Sequence, residues 1–414
     1  MKRGPADLAP CGLRHIVLEN PFAPITPAPG EQGVYAVFWR QGRPVGLRVL
    51  LAAETPVPAE AVPAIAADAA GRAVAADPAE AFDPPPPLAR RVSVVICTRD
   101  RAQDLTRCLA SLARCTPPPS EIIIVDNSPS DDSTAAALRA FPGVRYIRED
   151  RPGLSHARNA GVRAATGEIL AFTDDDVELP QDWIARLAAP FADPAVGCVT
   201  GLVLPADLSG EAACLFEFEI GGFGKVLHRQ RFEPAYLQSD WWRPPDVWKM
   251  GAGANMAMRR AVFAETGLFD PRLGAGASGC SEDSEFWFRL LRAGHVCLYD
   301  PAVVVFHHHR SDRAGLIRQL RAYSRGHVTA LFVHFAQDRR PAHLIRAFFL
   351  MPRYYLRQVF RALLQRDRSL LSIVVPQLRG CLEGVLQAPF WLRREGPPRL
   401  DPAPTPPPPA GDRA

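Results

Sequence analysis

The chain has 414 residues, of which 47% are hydrophobic and 22% charged, and its formal net charge is +4. This balance is typical of a soluble globular protein with room for two or three domains, and it argues against a disordered chain. The nine cysteines are scattered without a Cys-x-x-Cys pair, which argues against a disulfide framework and a structural zinc site.

The first predicted unit is a small β-rich module that spans residues 1–83. Val34–Trp39 and Gly46–Leu51 alternate apolar and polar residues around Gln41-Gly42, a pattern that predicts a hairpin. A proline-rich stretch, residues 84–90, follows and predicts a stiff, extended linker. The module itself has no readable chemistry.

Between residues 91 and 310 the pattern changes to short apolar runs separated by helical segments. Runs of this kind predict strands that are buried on both faces, and their alternation with helices predicts an α/β domain with a mostly parallel sheet. The predicted strands are Val92–Cys97, Glu121–Val125, Val144–Ile147, Ile169–Phe172 and Val196–Leu204, with helical patterns at 133–140, 155–165 and 182–189.

Polar residues follow three of these strands, where ligands of such sheets usually bind. They are Thr98-Arg99-Asp100, Asp126-Asn127 and the triplet Asp174-Asp175-Asp176. Three adjacent carboxylates repel one another, and a divalent cation such as Mg²⁺ or Mn²⁺ removes that repulsion. The alternative is a solvated acidic turn.

A second acidic pair, Glu282-Asp283, opens a predicted helix. Ser281 fits the N-cap position and Gly294 a helix stop, so the two acids are explained either by the helix dipole or by chemistry. Further on, the predicted strand 302–305 leads into Phe306-His307-His308-His309, where alternation places His307 and His309 on one face.

Residues 311–395 form a predicted basic helical extension. From Arg310 to Glu395 there are 16 arginines and five acidic residues, a net charge of +11. The extension is either a subdomain packed on the α/β domain or an interfacial surface for an anionic membrane. It contains no nucleic-acid reader motif, so no nucleic-acid partner is expected. Residues 396–414 predict a disordered, proline-rich tail.

The predicted location is the cytoplasm, with peripheral attachment to the inner face of the plasma membrane as the open alternative. Residues 1–10 lack the apolar core of a signal peptide. No segment contains 18 uncharged apolar residues, so no membrane-spanning helix is expected.

Read together, the motifs of residues 91–330 resemble the family 2 glycosyltransferases of GT-A fold. The resemblance predicts that fold, with a central sheet flanked by helices, the N-terminal module and the helical extension. The segments similar to family motifs, in chain order, are Val92–Arg101, Ile124–Ser128, Gly153–Gly161, Thr173–Asp176, Gly267–Asp270 and Glu282-Asp283. One departure is Cys97, where the family commonly has proline.

The resemblance implies a metal-dependent, inverting sugar transfer from a nucleotide-diphosphate donor. Mn²⁺ or Mg²⁺ would be held by Asp174, Asp176 and His307, with Asp174 leaning toward the ribose and Asp175 able to take either role. Asp283 would act as the general base and Glu282 would support it. Donor-binding residues would be Thr98, Arg99, Asp100, Asp126, Arg158, Asn159, Asp174 and Asp175.

The acceptor side is expected near the aromatic loop before the second acidic pair. Trp248 could stack on a sugar or belong to a small hydrophobic cluster, while Gly251 and Asn255 flank a segment that allows close backbone approach. By resemblance, the donor is a UDP-sugar, and the acceptor is a glycan or lipid-linked molecule of polysaccharide, glycolipid or cell-envelope synthesis.

Three other functions are alternatives for an α/β domain of this kind. A non-catalytic nucleotide-sugar-binding protein on the same scaffold is the main alternative. A dinucleotide-dependent oxidoreductase would need a Gly-x-Gly-x-x-Gly turn after the first strand, and residues 97–103 contain no glycine. A nucleotidyltransferase would need a glycine-rich, lysine-containing phosphate loop there, which the sequence also lacks.

Overall fold

The computed structural model of the protein describes residues 9–71, 90–238 and 240–400. The predicted linker 84–90 lies outside these residues except for Arg90, and so does the tail from residue 401 onward.

A small three-stranded sheet begins the described chain. β1 (Cys11–Val17) runs parallel to β2 (Gly33–Arg40), which forms a hairpin with β3 (Arg43–Leu51). The turn residues Gln41 and Gly42 both have positive φ, which two-residue hairpin turns require. The predicted hairpin is therefore confirmed.

The two faces of this small sheet have different neighbours. One face packs against α1 (Val62–Ala70), which lies in the stretch that the sequence assigned to a β-rich module. The other face contributes Tyr35 and Val37 to a shared apolar cluster with Leu202 and Leu204 of the large sheet. The N-terminal module is thus packed directly on the larger domain.

Nine strands form the large mixed sheet. They are β4 (Val92–Thr98), β5 (Glu121–Asn127), β6 (Val144–Glu149), β7 (Ile169–Asp174), β8 (Val177–Glu178), β9 (Val196–Pro205), β10 (Gln230–Phe232), β11 (Asn255–Arg259) and β12 (Val296–His307). Along the sheet the order is β10-β12-β9-β11-β7-β4-β5-β6, and β8 pairs with β12. The three pairings among the sequence-predicted strands, β4–β5, β4–β7 and β5–β6, are parallel as expected, but β11 is antiparallel to both its neighbours.

Helices cover both faces of this sheet. On one face, α2 and α5 bury Leu105 and Trp183 in a cluster with Val94 and Ile96 of β4. On the other face, α4 and α8 bury Val162 and Phe286. Burial of both faces explains why the central strands are almost wholly apolar. The helices of this domain are α2 (Ala102–Leu112), α3 (Ser133–Ala137), α4 (Leu154–Ala164), α5 (Trp183–Ala188), α6 (Glu211–Cys214), α7 (Val262–Thr266) and α8 (Glu282–Arg292).

The predicted basic extension is helical in the structure. It consists of α9 (Arg313–Asp338), α10 (Pro341–Ile345), α11 (Met351–Gln365) and α12 (Arg368–Leu392). The long helices α9 and α12 approach closely because Gly380 and Gly384 face α9. A Cβ atom at these positions would lie 2.3 Å from the Arg321 carbonyl oxygen and 2.7 Å from that of Arg325.

One expectation about this region needs correction. No spanning helix was expected, yet among the described residues α12 is long and apolar enough to cross a membrane by length and composition. The two results differ because α12 is apolar on average but contains a few charged residues. The expectation from the sequence required a run without any charge. Of its most apolar window 39% is buried within the protein, so most of that window is not buried.

The start of the proline-rich tail also differs from expectation. Residues 396–400, assigned to a disordered tail, lie against the α/β domain in the structure. The backbone N–H of Leu268 donates to the Pro398 carbonyl oxygen at 2.8 Å, and Leu400 packs against the apolar core.

Candidate active site

Strand register brings the polar strand ends together. In the parallel ladders, Thr98 of β4 is paired with Asp126 of β5, and Cys97 is paired with Asp174 of β7. The ends of β4, β5 and β7 therefore meet at one edge of the sheet, as their sequence predicts. A cavity of about 1680 Å³ opens there, and all three aspartates of the triplet line it.

Two members of the triplet meet a histidine from a distant strand. β8 follows the triplet and pairs with the end of β12, which places Val177 opposite His307. As a result, one ligand atom each of Asp174, Asp176 and His307 lie within 4.8 Å of one another. His307 Nε2 is 3.2 Å from Asp176 Oδ1.

This trio fits a divalent cation. Carboxylate oxygens and an imidazole nitrogen are suitable ligands for Mn²⁺, and carboxylates suit Mg²⁺. Asp176 Oδ1 is buried without a hydrogen bond of good geometry, so a cation would satisfy an atom that the protein leaves open. Asp174, whose side chain is 35% exposed, faces the cavity.

Asp176 and His307 shift each other's pKa. Burial raises the pKa of Asp176, but the attraction of His307 and Arg101 outweighs it and lowers the pKa of this carboxyl overall. Burial lowers the pKa of His307, but the attraction of the Asp176 carboxylate is larger and raises this pKa overall.

The middle aspartate has a different environment. Thr98 Oγ1 donates to Asp175 at 2.7 Å, and Arg101 bridges Asp175 and Asp176 at 3.1 and 2.9 Å. Burial raises the pKa of Asp175 to about 7. Asp175 is therefore tied to the end of β4 and is not a member of the candidate cation trio.

Sequence reasoning missed Arg101 as a site residue. The only available signal was its place in the polar turn after β4, among Thr98, Arg99 and Asp100. Arg99 is exposed and lines the cavity, whereas Asp100 does not line it and accepts hydrogen bonds from the Ser130 backbone N–H and hydroxyl.

Asp126 is buried at the end of β5. One carboxylate oxygen accepts from the Tyr146 hydroxyl at 3.1 Å, and the other has no hydrogen-bond partner. Burial raises the pKa of this carboxyl. Asp126 does not line the cavity, whereas its neighbour Asn127 does.

The second acidic pair opens α8, and both of its residues line the cavity. Asp283 Oδ2 accepts from the Gly253 backbone N–H at 2.9 Å, and Oδ1 accepts from that of Ser284. Burial raises the pKa of Glu282 to about 7. Ser281 occupies the N-cap position as predicted, but it has a left-handed backbone and its side chain does not cap the helix.

Arg158 of α4 connects the two acidic groups. Its guanidinium is 2.6 Å from Glu282, 3.3 Å from the Gly253 carbonyl oxygen and 3.7 Å from Asp174. The resemblance implied a contact with the donor. The residue lines the cavity, but it is buried and its hydrogen bonds are made to the protein.

Two expected ligand-binding residues have structural roles instead. Asn159 donates to the Phe269 carbonyl oxygen and accepts from its N–H, both at 2.8 Å, and so holds the segment after α7. Asn255 accepts from Trp183 Nε1 and donates to the Leu202 and Val303 carbonyl oxygens. Both side chains are buried outside the cavity lining, because short polar side chains here satisfy backbone groups between elements.

Trp248 and Gly251 do line the cavity. The Trp248 ring lies 3.8 Å from the Arg346 guanidinium carbon, a cation–π contact, and packs edge-on against His327. Gly251 has φ +152°, and a Cβ there would lie 2.5 Å from Thr200 Cβ. The glycine thus allows the backbone to pass β9 and enter the site.

The helical extension forms another wall of the cavity, which the sequence did not reveal. Its contributions include Arg318, Tyr323, His327, Arg346, Gln358 and Gln377. In the sequence, the only sign of this role was the interleaving of arginine with aromatic residues in the extension. That pattern indicates a binding surface but does not indicate that the surface faces the cavity.

A buried network lies behind His307. His309 Nδ1 is 3.1 Å from His307 Nδ1, and His309 Nε2 is 2.8 Å from Glu217, which also pairs with Lys225. Glu217 belongs to a π-helical segment, Leu215–Ile220, whose wide turn points the carboxylate inward. The predicted placement of His307 and His309 on one face is confirmed.

The sheet order and the cavity at the strand ends define a GT-A fold. A mannosyltransferase from Pyrobaculum calidifontis, whose structure was solved with GDP-mannose and Mn²⁺, has a similar structure with a TM-score of 0.52. The match covers 75% of this chain and 90% of the other at 20% identity, so it is evidence for the fold alone.

The sequence model of glycosyl transferase family 2 matches residues 93–266, and the chain belongs to that family. The pre-mycofactocin glycosyltransferase of Mycobacterium tuberculosis is 26% identical over 269 residues, 62% of this chain and 51% of the relative. The glucosyl-dolichyl phosphate glucuronosyltransferase of Haloferax volcanii is 26% identical over 197 residues, 44% of this chain and 57% of the relative. The chain spans about half the length of the first of these relatives.

Proposed function

We propose that the chain transfers a sugar from a nucleotide-diphosphate donor to an acceptor hydroxyl, with inversion at the anomeric carbon. The observation that carries the proposal is the arrangement of two acidic groups in one cavity, joined by Arg158. One group is the trio of Asp174, Asp176 and His307, and the other is the pair Glu282-Asp283.

Each group has a distinct chemical task. Asp174, Asp176 and His307 would hold Mn²⁺ or Mg²⁺, which supplies Lewis-acid stabilisation of the diphosphate leaving group. The Asp283 carboxylate, held by the Gly253 N–H, accepts the proton of the acceptor hydroxyl as the hydroxyl oxygen forms a bond to the anomeric carbon. The bond from that carbon to the donor phosphate oxygen breaks, and its electron pair leaves with the nucleotide diphosphate.

A single displacement with one base inverts the anomeric centre, and the site requires no second nucleophile. Glu282 supports the base by holding Arg158 between the two acidic groups. Arg99, exposed at the cavity edge, is the residue best placed for an additional contact to the donor's negative charge.

The donor and acceptor are proposed more coarsely. Family resemblance favours a UDP-sugar, while the similar mannosyltransferase was solved with GDP-mannose, so both nucleotides belong in the test. The acceptor is a glycan or lipid-linked molecule of cell-envelope, glycolipid or polysaccharide synthesis. All nine cysteines are free thiols, which supports a reducing, cytoplasmic location.

The test is a donor screen by thermal shift with and without Mn²⁺, followed by single-turnover transfer or donor hydrolysis with the donor that binds. Asp283→Asn should retain metal-dependent donor binding and lose turnover, with exposed Asp132→Asn as the matched control. Donor binding without turnover in the unmodified chain, across acceptors, would favour the non-catalytic alternative.

A further inference from the structure

The helical extension presents apolar side chains to solvent on two adjacent helices. On α11, Leu356, Phe360, Leu363 and Leu364 recur at positions i, i+4, i+7 and i+8, which places them on one side of the helix. All four are exposed, and Leu364 is 69% exposed. We call them the α11 stripe.

A second stripe occupies α12. Val375, Leu382, Leu386 and Phe390 recur at i, i+7, i+11 and i+15, again on one side, and Leu386 is 69% exposed. The opposite side of α12 carries Gly380 and is packed on α9. The α12 stripe is therefore the outer face of a helix whose inner face is already occupied.

The charges around these stripes all favour an anionic partner. Residues 351–394 contain eight arginines and two acidic residues, a net charge of +6. Arg379 lies on the same side of α12 as the stripe, and Arg393 directly follows the helix. Arg353 and Arg357 border the α11 stripe. Both acidic residues are engaged, since Asp367 caps α12 and Glu383 pairs with Arg321.

We propose that the outer faces of α11 and α12 bind an anionic lipid surface, with the helices lying in the interface. Apolar side chains flanked by arginines on one face are the features of interfacial helices, which combine apolar burial with attraction to anionic headgroups. A second copy of the chain is a poorer partner, because a symmetric contact would oppose arginine-rich faces.

Helix α11 also reaches the cavity. Leu350, Tyr354 and Gln358 line the cavity and lie on or beside α11. Tyr354 and Gln358 each precede a stripe residue by two positions, so they lie on the other side of the helix from the α11 stripe. A lipid surface bound by the stripe would therefore lie one helix away from the cavity, and a lipid-linked acceptor would pass around α11 to reach it, a consequence that rests on the proposed function.

The experiment is co-sedimentation of the full chain with vesicles. We expect binding at low salt to phosphatidylcholine vesicles that contain about one third phosphatidylglycerol, weak binding to pure phosphatidylcholine, and release at high salt. Leu382→Ser/Leu386→Ser should weaken binding by about tenfold or more. Val17→Ser/Leu51→Ser changes two exposed apolar residues of the small sheet and should bind like the unmodified chain.

A charge pair tests the other half of the surface. Arg357→Gln/Arg393→Gln should weaken binding to the anionic vesicles by about 25-fold, or about fivefold for each charge. The matched control is Arg139→Gln/Arg163→Gln, which removes two exposed arginines of the α/β domain. Circular dichroism confirms that each variant is folded.

Three outcomes would overturn the inference: equal binding by stripe and control variants, no binding to anionic vesicles at low salt, or a dimer in light scattering that Leu382→Ser/Leu386→Ser abolishes. Retention on membranes after alkaline carbonate treatment would also contradict it, since a spanning α12 resists extraction. Sedimentation is independent of turnover, so an inactive chain that binds vesicles would refute the proposed function alone.

Discussion

Arg158 Nη1 lies 2.6 Å from Glu282 Oε1 inside the protein, although 124 residues separate them in the chain. The same guanidinium is 3.7 Å from Asp174, so it joins the candidate base region to the candidate cation site. Both partners of the short ion pair are buried, with side-chain exposures of 3% and 6%. The relationship makes the geometry of the site depend on one arginine.

Removing that arginine should destabilise the protein strongly. Arg158→Met leaves Glu282 buried without its cation, and we expect the unfolding free energy to fall by about 3–5 kcal/mol in urea denaturation at neutral pH. Arg148→Met is the control: it breaks an exposed pair with Asp150, and little change in unfolding free energy is expected. Equal losses in both variants would contradict the proposed importance of the buried pair.

The pH dependence of stability should carry the signature of Glu282. Burial raises its pKa in the folded protein to about 7, above the usual 4.5 that applies after unfolding. Between these values the folded state binds more protons, so this residue's contribution to stability is present below about pH 4.5 and is lost as the pH rises through about 7. Glu282→Gln should flatten that part of the profile of unfolding free energy against pH. An unchanged slope would argue against the raised pKa.

Cation binding should depend on Asp174, Asp176 and His307 and should not depend on acidic residues outside this trio. Asp176→Asn and His307→Gln each remove a candidate ligand, and we expect Mn²⁺ affinity, measured by calorimetry or by electron paramagnetic resonance, to fall at least about tenfold. Chelation should abolish the thermal shift caused by the nucleotide sugar. Asp132→Asn provides the control, and Mn²⁺ affinity that survives intact in Asp176→Asn would rule out the assigned site.

Gly251→Ala should disturb the site through two separable effects. A Cβ would approach Thr200 Cβ to 2.5 Å, and φ is +152°. We expect a loss of about 2–4 kcal/mol in unfolding free energy, together with weaker donor or acceptor binding. Gly30→Ala isolates the backbone effect, because Gly30 has φ +92° with no atom within 4 Å of the added Cβ. A Gly251 variant no less stable than the Gly30 variant would show that the segment simply moves.

Asn255→Ala should reduce stability while leaving the chemistry of donor binding intact. The substitution removes the partners of Trp183 Nε1 and of two backbone carbonyl oxygens, all buried, and a loss of about 3 kcal/mol is expected. The readouts are urea denaturation and the thermal shift produced by donor with Mn²⁺. A stable variant with impaired donor or acceptor binding would restore the role that the sequence suggested.

The asparagines show why residue-level roles were only partly predictable. Asn159 lies in a segment that resembles a family motif, and Asn255 ends a glycine-rich segment that was expected at the acceptor side. The sequence does not record whether either side chain points at a ligand or at a neighbouring backbone. In the fold, Asn159 forms hydrogen bonds with the backbone of Phe269, and Asn255 donates to backbone carbonyl oxygens of β9 and β12. Buried amide and carbonyl groups at these places need hydrogen-bond partners. The same uncertainty hid Arg101, whose partners lie 74 and 75 residues away.

By itself, the sequence determined the positions of five strands of the α/β core, the helix that begins at Glu282 and the presence of an acidic triplet after a buried strand. These features are local, since apolar periodicity and strand-end polarity depend on near neighbours. Tertiary structure decided which carboxylates share a site: the β8–β12 pairing brings His307 to Asp174 and Asp176, while Thr98 and Arg101 bind Asp175. It also placed the basic helices against the cavity. Contacts of this kind join residues far apart in the chain, and the packing of whole elements creates them.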